Sequence, residues 1–377
     1  MSNPFLPPSG ELSLYIHIPF CERKCPYCAF ESFIPSRVDA TVYLELLEKE
    51  FEWWSIRIGK PMFNTCYIGG GTPTILNSQQ WSKLIKTIEK YCNFTPSAEI
   101  TVEANPNSLK AEHLHAWRDW RVNRVSIGVQ SFDDAELEQL GRMHNSAQAY
   151  EALSAAIVSG FSVNADFIFG LPGQTFHNWS RTLKDAVKTG VDHLSLYQLT
   201  LEPGTPWENM PSENLSDGYY PYRWAQWYLP RKGFKQYEVA NFSKPECESK
   251  HNINYWREGE YLGVGLGASG YLSEWRYKNI STLQEYADAM TSRKSAITSG
   301  ERLTPEAKAR EAFILALRMT DGVYRDQYKN KYGAFYEQML LDILESFPKH
   351  LYEITDRNIK LTTKGMRVAN RIWLELI

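Results

Sequence analysis

Six short apolar runs alternate with amphipathic stretches between residues 12 and 240, and this alternation constrains the fold more than any other feature of the chain. The runs cover residues 14–18, 65–68, 99–103, 124–128, 164–169 and 193–199. Between the first two, Tyr43, Leu46, Leu47, Phe51, Trp54 and Ile58 recur every three or four residues, the spacing of one buried helix face. Buried strands separated by helices imply a parallel sheet. Six such units are too few for a complete eight-stranded barrel. The predicted class is therefore α/β, a partial, open (β/α)6 TIM-like barrel with its chemistry at the carboxyl ends of the strands.

The rest of the chain divides around this unit. Residues 1–11 read as a polar, Pro-rich tail, and residues 12–240 as the barrel. Residues 202–217 are rich in Pro, Asn, Ser and Glu and read as a loop. Residues 241–300 read as a connecting segment, polar, aromatic and Gly-rich around 244–270 with no clean period. Residues 301–377 predict a small α+β domain. In it, Thr304-Pro305 caps a helix to about 319, and a second helix covers 333–346. Residues 352–354 and 359–361 form a hairpin, and a last helix runs from 364 to the end. That order is winged-helix-like.

Composition narrows the function classes. Of 377 residues, 43% are hydrophobic and 23% charged, as in an ordinary globular protein. The net charge of −3 gives no electrostatic footprint for nucleic acid, so no nucleic-acid partner is expected and the winged-helix-like end reads as a lid or docking unit. Aromatic residues reach 14%, which favours a cavity for something large and flat. No run reaches the length of a membrane span, and residues 1–10 lack the apolar core of a signal peptide. The expected location is the cytoplasm, where six cysteines are thiols or metal ligands rather than disulfides. Cys66, Cys92 and Cys247 are scattered and read as structural or incidental.

The other three cysteines share one loop after the first strand: Cys21, Cys25 and Cys28, spaced C-x-x-x-C-x-x-C. Zinc takes four ligands, or three and a water, and no nearby Cys or His completes a usual spacing. A C-x-x-C redox pair leaves Cys21 unexplained. Buried structural thiols do not suit a loop carrying Glu22, Arg23 and Lys24. Three thiolates can hold three irons of a four-iron cluster and leave the fourth iron open. Tyr27 and Phe30 are expected to shield such a cluster from water.

This loop resembles that of the radical S-adenosylmethionine (SAM) superfamily. The resemblance implies a [4Fe–4S] cluster on Cys21, Cys25 and Cys28, with SAM chelated at the open iron. It also implies one-electron cleavage of SAM to methionine and a 5′-deoxyadenosyl radical. Gly69, Gly70, Gly71 and Thr72, directly after the second strand, resemble the superfamily's glycine motif, which contacts the methionyl part of SAM. Consecutive glycines let a backbone approach a ligand, although a tight turn would use them too.

The blocks around Glu103, Gln130, Arg142 and Asp166 resemble the branch that contains oxygen-independent coproporphyrinogen oxidase. By that resemblance Glu103 and Gln130 bind ribose, and Arg142 binds the methionine carboxylate. Asp166 joins the ribose or its polar network, and Tyr15 and Ile168 line the cofactor site. The oxidases proper carry a further cysteine two positions after the third, where this chain has Phe30, and a longer N-terminal extension.

His251-Asn252-Ile253-Asn254-Tyr255-Trp256 resembles the H-N-x-x-Y-W signature of the heme chaperones of this branch. That implies a protein that binds heme and delivers it to apoproteins such as respiratory hemoproteins. His251 is then the candidate axial ligand, with Tyr255 and Trp256 against a porphyrin face. The plainer reading has His251 hydrogen-bonded within the fold and the aromatics filling core. His17 is a second imidazole, read as structural. Ser269, in the glycine-rich run 263–270, stands where many relatives have histidine, and those glycines could instead let the backbone close over SAM. The expected cofactors are the [4Fe–4S] cluster, SAM and heme. The expected partners are heme or a porphyrin and acceptor apo-hemoproteins, with a homodimer and transient membrane contact left open. The competing function is a radical SAM enzyme acting on a porphyrinogen, by decarboxylation or methyl transfer.

Overall fold

The computed structural model describes residues 5, 10, 12–34 and 40–377. Apart from Phe5 and Gly10, the predicted N-terminal tail lies outside the described residues. The chain forms two compact units, residues 1–216 with 260–301, and residues 217–259 with 302–377.

The first unit contains six parallel strands: β1 (Leu12–Ile18), β2 (Met62–Gly70), β3 (Asn93–Ala104), β4 (Arg124–Gln130), β5 (Ser162–Phe169) and β6 (His193–Gln198). They pair in sequence order, each parallel to the next. Each falls on a predicted run, and α1 (Ala40–Ile58) buries the six apolar positions read from its sequence. β1, β2, β3 and β5 begin earlier than predicted, whereas β4 and β6 begin at the predicted residue. β3 begins at Asn93 because its first half is largely exposed and carries Pro96, so it shows no apolar run. Parallel pairing brings all six carboxyl ends to one edge of the sheet, where the connecting loops converge.

One prediction needs correction. Residues 241–300 do not stand apart as a connecting segment. Tyr261–Val264 pairs parallel with β1 on the side away from β2. Ser269–Leu272, Trp275–Asn279 and Ile297–Glu301 then continue the sheet antiparallel. β1 is therefore an interior strand. These strands are short and interrupted by glycines, which hides their period. The glycines serve packing. A Cβ at Gly263 would lie 1.8 Å from the Ser269 carbonyl oxygen, and one at Gly270 would lie 2.1 Å from the Tyr277 ring. Ser269 itself is exposed.

A buried carboxyl fastens this extension to α1. Glu50 accepts from the Gly265 N–H at 2.8 Å, Asn279 Nδ2 at 2.7 Å and Tyr286 Oη at 2.6 Å. Burial raises its pKa while these donors oppose the rise.

The second unit begins earlier than the predicted boundary at 301 and takes in 217–259. The reason lies in its contacts. Arg257 donates to the Gly322 carbonyl at 2.9 Å and pairs with Asp321, and the Arg318 guanidinium stacks on Trp256 at 4.1 Å. Thr304 caps the helix Pro305–Leu317, accepting from Ala307 N–H at 3.2 Å. Ala334–Glu345 and the hairpin Tyr352–Ile354 with Asn358–Leu361 follow as predicted. Val323–Tyr324 adds a third strand, and Arg325–Tyr332 adds a helix whose polar sequence buries only Tyr328. The last helix is broken into Thr363–Met366 and Ala369–Leu376. Among the described residues no helix is long and apolar enough to cross a membrane.

Candidate functional site

The carboxyl ends of the strands and the cysteine loop enclose a cavity of about 620 Å³ in the first unit. Cys21, Cys25 and Cys28 line it, with Gly70, Gly71, Thr72, Glu103, Gln130, Arg142, Asp166 and Ile168. None of the six cysteines is in a disulfide, and the three on the loop are half-buried. Burial pushes the Cys21 and Cys28 thiols up.

A polar chain joins two of these thiols along the cavity wall. Thr72 Oγ1 donates to Cys21 Sγ at 3.6 Å and accepts from Asn105 Nδ2 at 2.9 Å. Arg142 Nη2 donates to Asn105 Oδ1 at 2.7 Å and to the Gly128 carbonyl at 2.9 Å. Arg142 Nη1 reaches Cys25 Sγ at 3.7 Å. Arg142 Nε is buried and has no partner among the described residues. Its loop is pinned two residues on, where His144 Nε2 and the Val129 carbonyl lie 3.0 Å apart.

The glycine turn is shaped by what lies beneath it. Gly71 N–H donates to the Ile18 carbonyl at 2.8 Å and Thr72 N–H to the Phe20 carbonyl at 2.6 Å, which continues the β1–β2 ladder into the cysteine loop. Gly70 adopts φ 109°, and a Cβ there would lie 2.4 Å from the His17 ring. At Gly69 a Cβ would lie 2.6 Å from the Glu103 carboxyl carbon. Gly69 does not line the cavity but leaves room for Glu103.

Glu103 accepts from Tyr67 Oη at 2.7 Å and from Gly70 N–H at 3.0 Å. Burial, with Asp166 nearby, pushes its pKa up to about 7 against those two donors. Asp166 is also raised by burial, although Asn164 Nδ2 at 2.8 Å and Ser126 Oγ at 3.2 Å donate to it. Gln130 ends β4 at φ 68°, and its Nε2 would meet a Cβ at Gly128 at 2.9 Å. The cavity is thus lined by carboxyl and amide side chains from the strands and by thiols from the cysteine loop.

Most residues predicted for the site meet here. Tyr15 does not line the cavity. It stacks beneath Tyr67, ring centroids 6.3 Å apart, and its hydroxyl donates to His17 Nδ1 at 2.9 Å. Phe30 does not shield the loop, because it is 65% exposed at the cavity edge. The run 263–270 lines no part of the cavity, so its glycines do not close over it. Sequence reasoning missed Tyr67, Asn105 and Ser126. For Ser126 the period-two alternation of β4 held the signal, since Ser126 and Gly128 are two apart and both line the cavity.

His251, Tyr255 and Trp256 lie in the second unit, on the helix Lys250–Trp256. His251 is 1% exposed, and its Nε2 shares a hydrogen bond with Tyr255 Oη at 2.8 Å. Burial brings its pKa down to about 3.

Residues 15–186 match the family model of the radical SAM superfamily. The chain is 35% identical over 371 residues to the heme chaperone HemW of Lactococcus lactis subsp. lactis (strain IL1403), covering 96% of each. It is 33% identical over 375 residues to the heme chaperone HemW of Bacillus subtilis (strain 168), covering 96% of this chain and 98% of that one. Among solved structures, coproporphyrinogen III oxidase (HemN) from Escherichia coli matches with a TM-score of 0.85 at 24% identity, over 97% of this chain and 90% of its own. That last likeness is one of fold.

Proposed function

Because the chain belongs to the radical SAM superfamily and, within it, to the HemW family, we propose that it binds heme and delivers it to apo-hemoproteins. It does so in the cytoplasm, holding a [4Fe–4S] cluster and SAM in the cavity of its first unit. The observation that carries this reading is likeness to HemW proteins along 96% of the chain, together with a cavity that joins the three loop thiols to a polar strand-end wall.

The residues fit the cluster and SAM. Cys21, Cys25 and Cys28 supply one thiolate for each of three irons. Ligation of separate irons needs no single point of convergence, and among the described residues no three His, Cys, Asp or Glu are placed to hold a lone ion. When bound, the cluster supplies an electron and an iron open to the amino and carboxylate groups of SAM. Arg142 keeps a buried donor, Nε, for an anionic group beside Cys25. Gly70 and Gly71 leave the floor free of side chains. Glu103 and Asp166 offer acceptors to ribose hydroxyls, and Tyr67 orients Glu103.

Heme does not fit at His251 in this conformation, because the imidazole is interior and its Nε2 is engaged.

The test is a paired assay on one anaerobically reconstituted sample. Hemin titration is expected to shift the Soret band and to transfer heme to an apo-hemoprotein. 5′-Deoxyadenosine is followed in parallel, with and without a porphyrinogen. Porphyrinogen-dependent deoxyadenosine with no Soret change would replace the chaperone reading with an enzymatic one.

A further inference from the structure

Thr72 stands at a capping position and does not cap. It directly precedes the short helical turn Pro73–Ile75, with extended backbone, where a threonine hydroxyl ordinarily accepts from the N–H groups of the turn. Its side chain makes no such bond. The residue is buried, and its hydroxyl lies between Cys21 Sγ at 3.6 Å and Asn105 Nδ2 at 2.9 Å.

The chemistry of the groups fixes the direction of each bond. A guanidinium only donates, so the Asn105 atom that faces Arg142 Nη2 at 2.7 Å is the carbonyl oxygen. The amide nitrogen then faces Thr72 and donates to it. A hydroxyl has a single proton, and with its lone pair taken by Asn105 that proton is directed to Cys21. The same amide holds Arg142 Nη2 while Nη1 reaches Cys25 Sγ at 3.7 Å. Asn105 is itself fixed by its backbone. Its N–H reaches Thr74 Oγ1 at 3.4 Å, and its carbonyl accepts from the N–H groups of Ser108 at 3.1 Å and Leu109 at 3.0 Å.

The loop supplies other donors to its own thiols. Ser32 is a second hydroxyl on Cys21, and the Phe30 N–H serves Cys28. Thr72 and Arg142 come instead from outside the loop, and Asn105 bonds both. Hydrogen bonds to cluster sulfurs help set a reduction potential. Reduction adds an electron to a charge that the thiolates share, so a donor on sulfur favours the reduced state.

We propose that Asn105 is a positioning residue for the reduction potential of the cluster site: it aims the Thr72 hydroxyl at Cys21 and Arg142 at Cys25, and these two bonds ease one-electron reduction. The proposal rests on the reading that Cys21, Cys25 and Cys28 hold a [4Fe–4S] cluster. The electron comes from an external one-electron donor and takes the cluster from the 2+ to the 1+ state. No bond forms or breaks at Asn105.

The test is a redox titration of the reconstituted full chain with dithionite, followed by the electron paramagnetic resonance of the reduced cluster. Thr72→Val keeps the shape and removes the hydroxyl. It is expected to make reduction about three- to tenfold less favourable, a fall of up to about 59 mV for one electron. Thr72→Ser restores a hydroxyl and is expected to titrate as the wild type does. Asn105→Asp offers Thr72 an acceptor in place of a donor and turns the hydroxyl from Cys21. In that background Thr72→Val is expected to lower the potential by less than it does alone, as for residues that act through each other. Bound iron and acid-labile sulfide in each variant separate loss of the cluster from a change in its potential. A wild-type potential in Thr72→Val, or the same effect of that substitution in both backgrounds, overturns the proposal. If Thr72→Val holds no cluster, the Fe–S stretching bands decide. Their shift on exchange into D2O is expected to shrink in Asn105→Asp, and an undiminished shift overturns the proposal. A wild type that holds no cluster overturns the cluster reading as well.

Discussion

Arg142 donates through Nη2 to the Asn105 side-chain oxygen at 2.7 Å, and this one contact closes the polar chain from Cys21 to Cys25. The same nitrogen holds the Gly128 carbonyl. A guanidinium can serve these acceptors and the thiol together because its donors are fixed in a plane, whereas an ammonium is a point charge. Arg142→Lys is therefore expected to keep its charge and lose the arrangement. SAM affinity of the reconstituted protein, followed by equilibrium dialysis, should fall at least about tenfold, the cost of one stranded buried acceptor. Wild-type affinity in this variant would remove Arg142 from the site.

The three loop cysteines and the three scattered ones should separate by iron content. Alanine at Cys21, Cys25 or Cys28 is expected to abolish bound iron and acid-labile sulfide after reconstitution. Alanine at Cys92 or serine at Cys247 should leave both unchanged, since neither residue lines the cavity. Cys66 is fully buried, so Cys66→Ala should lower stability, by about 1 kcal/mol for the small cavity, without loss of iron.

Glu103 makes stability depend on pH in the apo protein. Its pKa rises from the ordinary 4.5 to about 7 on folding, chiefly through burial. The folded state therefore holds a proton that the unfolded state has released in that window. Stability is fully present below pH 4.5 and is lost as pH rises through 7. Glu103→Gln removes this dependence and leaves the other buried carboxyls in place. Urea denaturation of both proteins across that range should show the wild type losing stability relative to the variant as pH rises. Parallel curves would show that Glu103 ionises normally.

The sequence was most legible where one period ran unbroken. All six parallel strands and α1 were placed, because β-period and helix-period runs of apolar residues survive without tertiary information. The cavity wall was half legible. Glu103 and Gln130 close strands and were found there, and Asp166, inside β5, was found only through the resemblance, whereas Tyr67 and Ser126 lie inside strands and are revealed only by which face turns to the cavity. The extension beyond β1 was hidden because Gly263 and Gly270 are demanded by close backbone and ring approach, not by a turn. His251 was legible as a residue type and not as a position. No local pattern tells an imidazole facing inward from one facing out.

Two glycines with similar backbones test how the glycine turn works. Gly59 has φ 73° with nothing within 4 Å of where a methyl would stand, and Gly70 has φ 109° with the His17 ring at 2.4 Å. Alanine at Gly59 should cost only the left-handed strain, about 1–2 kcal/mol. Alanine at Gly70 adds overpacking, about 1–3 kcal/mol more, because the His17 ring cannot turn aside. Its Nδ1 accepts from Tyr15, and its Nε2 donates to the Glu31 carbonyl at 2.8 Å, which fixes both the tautomer and the plane. The backbone must then give, and Gly70 N–H leaves Glu103. Gly70→Ala is thus expected to lose SAM binding as well as stability, while Gly59→Ala loses stability alone. Thermal denaturation and SAM dialysis on the pair check this. Equal SAM affinity in both would mean that the turn at Gly70 shapes the fold and not the site.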